Sequence, residues 1–186
     1  MDEATANGNG TFGRGGTNFS NSEVFQKKHD ITLAASGEVE GAVCEEMTIE
    51  DITEEHIELT KSMLRFLSDM NGLGLAAPQI GITKQFFVYW NEQLKPNAVY
   101  NPKYFPAEKK KETWVEKCLT YGDQGFVINR YKYIRAVWWE FDPEKNELVK
   151  RMKKLRGLNA QVFQHETDHI HGKTIATEGT PHSPNL

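Results

Sequence analysis

Near the C-terminal end of the chain, His165-Glu166-Thr167-Asp168-His169 sets two imidazoles four residues apart with a carboxylate between them. On a helix that spacing puts both rings on one face about a turn apart, where they can share a single metal ion. Glu166 flanks the face and can reach a water in an open coordination position. Leu158 and Val162 continue the same stripe toward the helix start, so the ligand face is expected to point inward, away from competing water. His171 is turned away by roughly 100° per residue and falls outside the coordination sphere.

A catalytic metal normally takes three protein ligands and keeps one position open. Downstream, Glu178 and His182 are available, but both lie in a stretch without helical periodicity. Upstream stand the two cysteines, Cys44 and Cys118. Cys44 is crowded by Glu40, Glu45 and Glu46, and that negative charge disfavours a thiolate. Cys118 follows Trp114-Val115 at a strand end or loop and precedes a glycine turn, which makes it the better candidate.

A second stretch, Gly72-Leu73-Gly74-Leu75-Ala76-Ala77-Pro78-Gln79-Ile80-Gly81, reads as a tight loop of small residues that permits close backbone approach. No Gly-Lys-Ser/Thr follows it and no strand precedes it, so it is neither a phosphate loop nor a dinucleotide fingerprint. Gln79 is its one polar side chain, and either satisfies local backbone or faces a site.

These residues need elements to hold them. From Asp51 to Met70 the apolar positions Ile52, Leu59, Met63, Leu67 and Met70 recur at helical steps, with Thr48 and Asp51 as a capping signal and Asn71-Gly72 as a stop. Gln85–Trp90, Gly125–Asn129 and Tyr131–Phe141 read as strands, and the last turns at Asp142–Asn146 into a returning strand, Glu147–Leu155. Asn101-Pro102 and Phe105-Pro106 are expected to break whatever follows the Gln85–Trp90 strand. Gly157 opens a second helix, Leu158–Ile170, which Gly172 closes. Strands between two separated helices point to a single α+β domain, antiparallel or mixed sheets packed around a central helix carrying the metal motif.

At 186 residues the length favours one domain. Residues 1–22, rich in Gly and Asn, read as a flexible tail, 23–176 as the catalytic domain and 177–186 as an irregular tail. A mean hydropathy of −0.61 excludes a membrane helix of about 20 apolar residues. Two cysteines exclude a disulfide-stapled scaffold, and a net charge of −4 argues against a dominant grip on nucleic acid. No signal or transit peptide is evident, so a cytoplasmic location is expected.

Three segments together resemble peptide deformylase. The family's G-Φ-G-Φ-A-A-P-Q-Φ-G is matched from Gly72 to Gly81, its E-G-C-L-S is similar to Glu116–Thr120, and its Q-H-E-x-D-H is matched by Gln164–His169. The resemblance covers residues 50 to 175 or so and implies removal of the formyl group from N-terminal formylmethionine of new polypeptides. It implies Cys118, His165 and His169 as metal ligands and Glu166 as general acid/base. Gln79 and the backbone N–H of Leu119 would hold the oxyanion, and Glu116 would pair with Arg130 to support the site. Leu73 and Gly74 would line a cleft where substrate adds as an extended strand. The native metal implied is Fe²⁺, with Zn²⁺, Ni²⁺ or Co²⁺ as substitutes, although one thiolate and two imidazoles would equally suit zinc. Phe126, Val127, Val162 and Phe163 are candidates for an apolar methionine pocket.

Two motif positions differ: Lys117 stands for Gly and Thr120 for Ser. The opening strand usual in the family is not evident. The long C-terminal helix linked to ribosome docking in many bacterial members is missing too, as in short deformylases of some bacteriophages, which leaves ribosome contact open. Two other readings compete. A minimal HExxH peptidase would draw its third ligand from the tail and would act on internal bonds. An inactive nascent-chain binder would release no formate.

Overall fold

The computed structural model describes residues 30–183. The expected tail at 1–22, the expected domain start at 23 and residues 184–186 lie outside the described residues. A short helix α1 (Ser36–Val39) leads to a 3₁₀ turn at Ile49–Asp51 and then to α2 (Glu54–Asp69). Thr48 and Asp51 cap the 3₁₀ turn rather than the long helix, the Thr48 N–H donating to Asp51 Oδ2 at 2.8 Å. The cap of α2 is Thr53, whose hydroxyl accepts the His56 N–H at 3.2 Å, with Glu54 and Glu55 favourably placed against the helix dipole. Met63, Phe66 and Leu67 are fully buried, each stabilising the fold by about 1.5–3 kcal/mol.

The strands follow: β1 (Gly74–Ala76), β2 (Phe86–Trp90), β3 (Pro96–Pro106), β4 (Lys111–Glu116), β5 (Phe126–Tyr131), β6 (Tyr133–Asp142) and β7 (Glu147–Arg156). Next come the central helix α3 (Gly157–Ile170), a single-turn α4 (Ile175–Glu178) and the two-residue β8 (Thr180–Pro181). They form a five-stranded antiparallel sheet in the order β1-β2-β3-β6-β7 and a three-stranded one, β4-β5-β8. Helix α2 packs on β1 and β2, while α3 lies between the sheets against strands of both. No helix among the described residues is long and apolar enough to cross a membrane.

Three local expectations are corrected. Only one of the two proline breaks is found: β3 runs through Pro102 and stops at Pro106, with irregular chain after it. The strand slips register between Tyr100 and Lys103, and this bulge absorbs Pro102 without ending the strand. Asn101 makes the bulge at φ +49°, and its side chain bonds both the N–H and the carbonyl of Met47, at 2.7 and 2.9 Å. Second, Lys132 separates β5 from β6, so the strand expected from Tyr131 begins at Tyr133. Third, the expected irregular tail contains β8, with Thr180 and Pro181 opposite Val127 and Phe126. Gly179 permits that approach, since a Cβ there would stand 2.7 Å from the Val127 carbonyl. A pair of residues is too short to leave a periodic trace in sequence.

Helix α3 is buried continuously from Ala160 to Ile170, polar residues included. An amphipathic stripe is therefore absent, and each buried polar group needs its own partner. Thr167 Oγ1 donates to the Phe163 carbonyl at 2.6 Å. Gln164 accepts the Tyr131 N–H and donates to the Tyr131 carbonyl, both at 2.9 Å, taking the place of a neighbouring strand at the end of β5.

Candidate metal centre

The two histidines of α3 meet the cysteine that follows β4. Sγ of Cys118 lies 3.4 Å from Nε2 of His169, and that nitrogen lies 3.2 Å from Nε2 of His165. The three ligand atoms fall within 4.8 Å of one another, and all three residues are buried. Glu178 and His182 are not in this group, so the tail supplies no third ligand among the described residues. Cys44 is elsewhere; its thiol is pushed up by burial, not by the neighbouring acids the sequence had suggested.

Glu116 arrives at the end of β4 with no exposed surface. It accepts from Arg130 Nε at 3.0 Å and Nη2 at 2.9 Å, from Gln161 Nε2 at 3.1 Å and from His165 Nδ1 at 2.9 Å. Burial alone would raise its carboxyl; the charge of Arg130 and the hydrogen bonds of His165 and Arg130 override it and hold the group down at about 2. A charged Glu116 accepts from Nδ1 of His165 and so orients the ring with Nε2 toward the centre. Arg130 extends the chain of contacts to Asp168. Burial and the adjacent His165 hold the His169 imidazole well below its ordinary range, in its neutral, ligating form.

Gln79 comes from the 3₁₀ turn Ala77–Ile80 that follows β1. Its Oε1 accepts the Ala76 N–H at 2.9 Å, which turns the amide nitrogen toward Cys118 Sγ at 3.3 Å and Thr120 Oγ1 at 3.1 Å. The side chain thus does both things the sequence allowed, satisfying backbone and facing the site. Leu119 opens the next 3₁₀ turn, where the leading N–H has no partner within the turn. Lys117, in the position of the motif glycine, is absent from the residues with positive φ and sits 3.5 Å from Asp123. The loop does not need a glycine there.

Glu166 has no exposed surface, and neither carboxylate oxygen has a protein partner. Burial pushes its carboxyl up to about 7, the range suited to passing a proton near neutrality. Gly74 lies against it so closely that a Cβ would collide with the carboxylate. Leu73, beside it, borders a groove of about 230 Å³ lined also by Leu67, Trp90 and Leu94. Of the methionine-pocket candidates, Phe126 packs in the cluster that contains Cys118, whereas Val162 and Phe163 belong to the main core. Phe163 packs edge-on against Phe87 and tilted against Trp138, and is corrected to a core residue. Val127 stands in register with Thr180.

The donor set suits a divalent ion: one sulfur and two ring nitrogens converge, with an unpartnered buried carboxylate beside them. Sequence reasoning missed Asp168, Gln161 and Thr120 as supports. Asp168 was inside the quoted motif, but its partner is 38 residues away and nothing local signals it.

Comparison with known proteins agrees with this geometry. The sequence profile described as polypeptide deformylase matches residues 38–183. The peptide deformylase of Thermotoga petrophila is 35% identical over 133 residues, 70% of this chain and 77% of the relative. The crystal structure of peptide deformylase from Thermotoga maritima superposes with a TM-score of 0.69 at 28% identity, covering 81% of this chain and 98% of that one. That of a peptide deformylase from Synechococcus elongatus in complex with actinonin gives 0.69 at 27% identity, covering 80% and 78%.

Proposed function

Because the chain belongs to the polypeptide deformylase family, we infer that it hydrolyses the formyl group from the N-terminal formylmethionine of newly made polypeptides. The products are formate and a free amino terminus. The single observation that supports the chemistry at this site is the buried, unpartnered Glu166 beside the Cys118, His165 and His169 donors.

Cys118, His165 and His169 would hold the metal, which when bound supplies Lewis acidity and a water acidified toward neutrality. The Fe²⁺ assignment rests on the resemblance, and the ligand set leaves a divalent ion with a net charge of about +1. Glu166 takes the proton as the water oxygen adds to the formyl carbon. It returns that proton to the nitrogen as the C–N bond breaks. Gln79 Nε2 and the Leu119 N–H hold the oxygen that becomes negative between those steps. Glu116 and Arg130 keep His165 oriented. Leu73 and Gly74 sit on the cleft side, where β1 is the edge of its sheet and its free backbone groups can pair with an extended substrate.

The test uses anaerobically purified protein, with metal content and formate release from formyl-Met-Ala-Ser measured together. Glu166→Ala is expected to retain the metal and lose formate release. Turnover that survives in that variant would remove Glu166 from the mechanism. Cleavage of internal peptide bonds without formate would favour the peptidase reading instead.

A further inference from the structure

The five-stranded sheet has two unlike faces. One packs toward α3 through Tyr104, Ile134, Ala136, Trp138 and Leu155. The opposite face is covered only at one end, where Tyr100, Trp139, Phe141 and Leu148 join the cluster beneath α2. Beyond Trp139 it is open. The strand register sets Phe105, Arg135 and Lys154 in one row across β3, β6 and β7, and Lys103, Val137 and Met152 in the next. Tyr133 with Arg156 flanks these rows on one side, and Trp139 with Lys150 on the other. Phe105 is 57% exposed and Met152 70%.

Every charge in these rows is positive. Arg135, Lys150 and Arg156 make no ion pair among the described residues, while Lys103 and Lys154 reach the exposed acids Glu46 and Glu108 at 3.3 and 3.7 Å, and Lys150 and Lys154 also lie over the rings of Trp139 and Tyr133. Lysines on an edge strand guard it against pairing with another chain, which accounts for β7. That reason does not reach Arg135 on β6 or Lys103 on β3, and it gives no purpose to an outward phenylalanine. A chain of net charge −4 has therefore gathered a basic field on one sheet face, offset by exposed acids only at Lys103 and Lys154, with aromatic and apolar side chains between the cations.

We propose that this face binds single-stranded RNA, phosphates resting on Lys103, Arg135, Lys150, Lys154 and Arg156 while a base stacks on Phe105. Along β7 alternate side chains stand about 7 Å apart, close to the spacing of successive phosphates in an extended strand. A duplex keeps its bases stacked on each other and offers no flat face to Phe105, so a single strand is the matching form. The surface is separate from the metal chemistry and can fail without affecting it.

The probe is a fluorescein-labelled oligouridylate of about 12 nucleotides, read by anisotropy against the full chain. Binding in the micromolar range at low salt is expected. The affinity should fall with salt at a log–log slope of about −3.5, for five phosphates at about −0.7 each. Phe105→Ala should weaken binding about tenfold and leave the slope unchanged. The double variant Arg135→Glu, Lys154→Glu should weaken it further and flatten the slope. Both should release formate from formyl-Met-Ala-Ser at the parent rate, which shows that the fold is intact. No binding at about 100 µM protein in low salt would overturn the proposal. So would binding that neither variant weakens, equal affinity for duplex RNA, or binding to anionic lipid vesicles in place of the oligonucleotide.

Discussion

Cys118 is the candidate ligand contributed from outside α3, and the Gln79 amide stands 3.3 Å from its sulfur. Two imidazoles alone make a weak site, so Cys118→Ala is expected to purify with little or no metal; full occupancy by elemental analysis would rule the thiolate out. Gln79 is tested differently, because the role proposed for it is toward the developing charge and not toward the ion. Gln79→Leu should keep the metal and lower kcat by about 10²–10³, a loss of about 3–4 kcal/mol, with little change in KM. An unchanged kcat would mean that the amide only braces the loop through Ala76 and Thr120. At this scale the sequence was most readable. Ligands four apart on a helix and a lone glutamine in a small-residue loop are short-range signals. The partners of Arg130 were half legible: Glu116 follows from the motif resemblance, whereas Asp168 becomes a partner only when α3 packs on β5.

Elements carry information that single residues do not. Helix α2 was readable because its apolar spacing runs for several turns, but its cap was misplaced by five positions, from Thr48 to Thr53, since both hydroxyls precede acidic residues. The chain at Pro102 was misread because proline propensity is local, while the Asn101 bulge that accommodates Pro102 depends on Met47, 54 residues earlier. At the start of α2, His56 packs edge-on against Phe86 at 4.8 Å, with Nε2 3.2 Å from the Tyr100 hydroxyl. Burial lowers its pKa below 6.5, although Asp51 pulls it the other way. The unfolded chain therefore binds this proton more readily than the folded one. Its contribution to stability is intact above about pH 6.5 and declines as pH falls through that value toward the lower folded pKa. Urea midpoints measured from pH 7 down to 5 should fall less steeply in His56→Gln than in the parent. An identical slope would assign the decline to other groups.

The whole molecule is held together across its two sheets by α3, and its last described strand closes the smaller one. Deleting residues 179–186 removes β8 and uncovers one side of Phe126, Val127 and Ile175. The expected cost is about 1 kcal/mol, or roughly 2–4 °C in melting temperature, with metal content unchanged. A tail that supplied a ligand would lose its metal on this deletion, and an unaltered melting temperature would show β8 to be idle. The α+β class was legible because element order survives errors in element boundaries. Sheet partnership was not, since nothing local to Phe126 names Pro181 as its neighbour. The Gln164 amide, standing in for a strand beside Tyr131, has one more effect. It acts as a detent on the axis of α3: sliding the helix even by one residue would tear two bonds from the backbone of Tyr131, the residue that follows Arg130 on β5. The histidines therefore ride on a fixed rail, and whatever yielding is needed to admit a peptide falls to the loops around them.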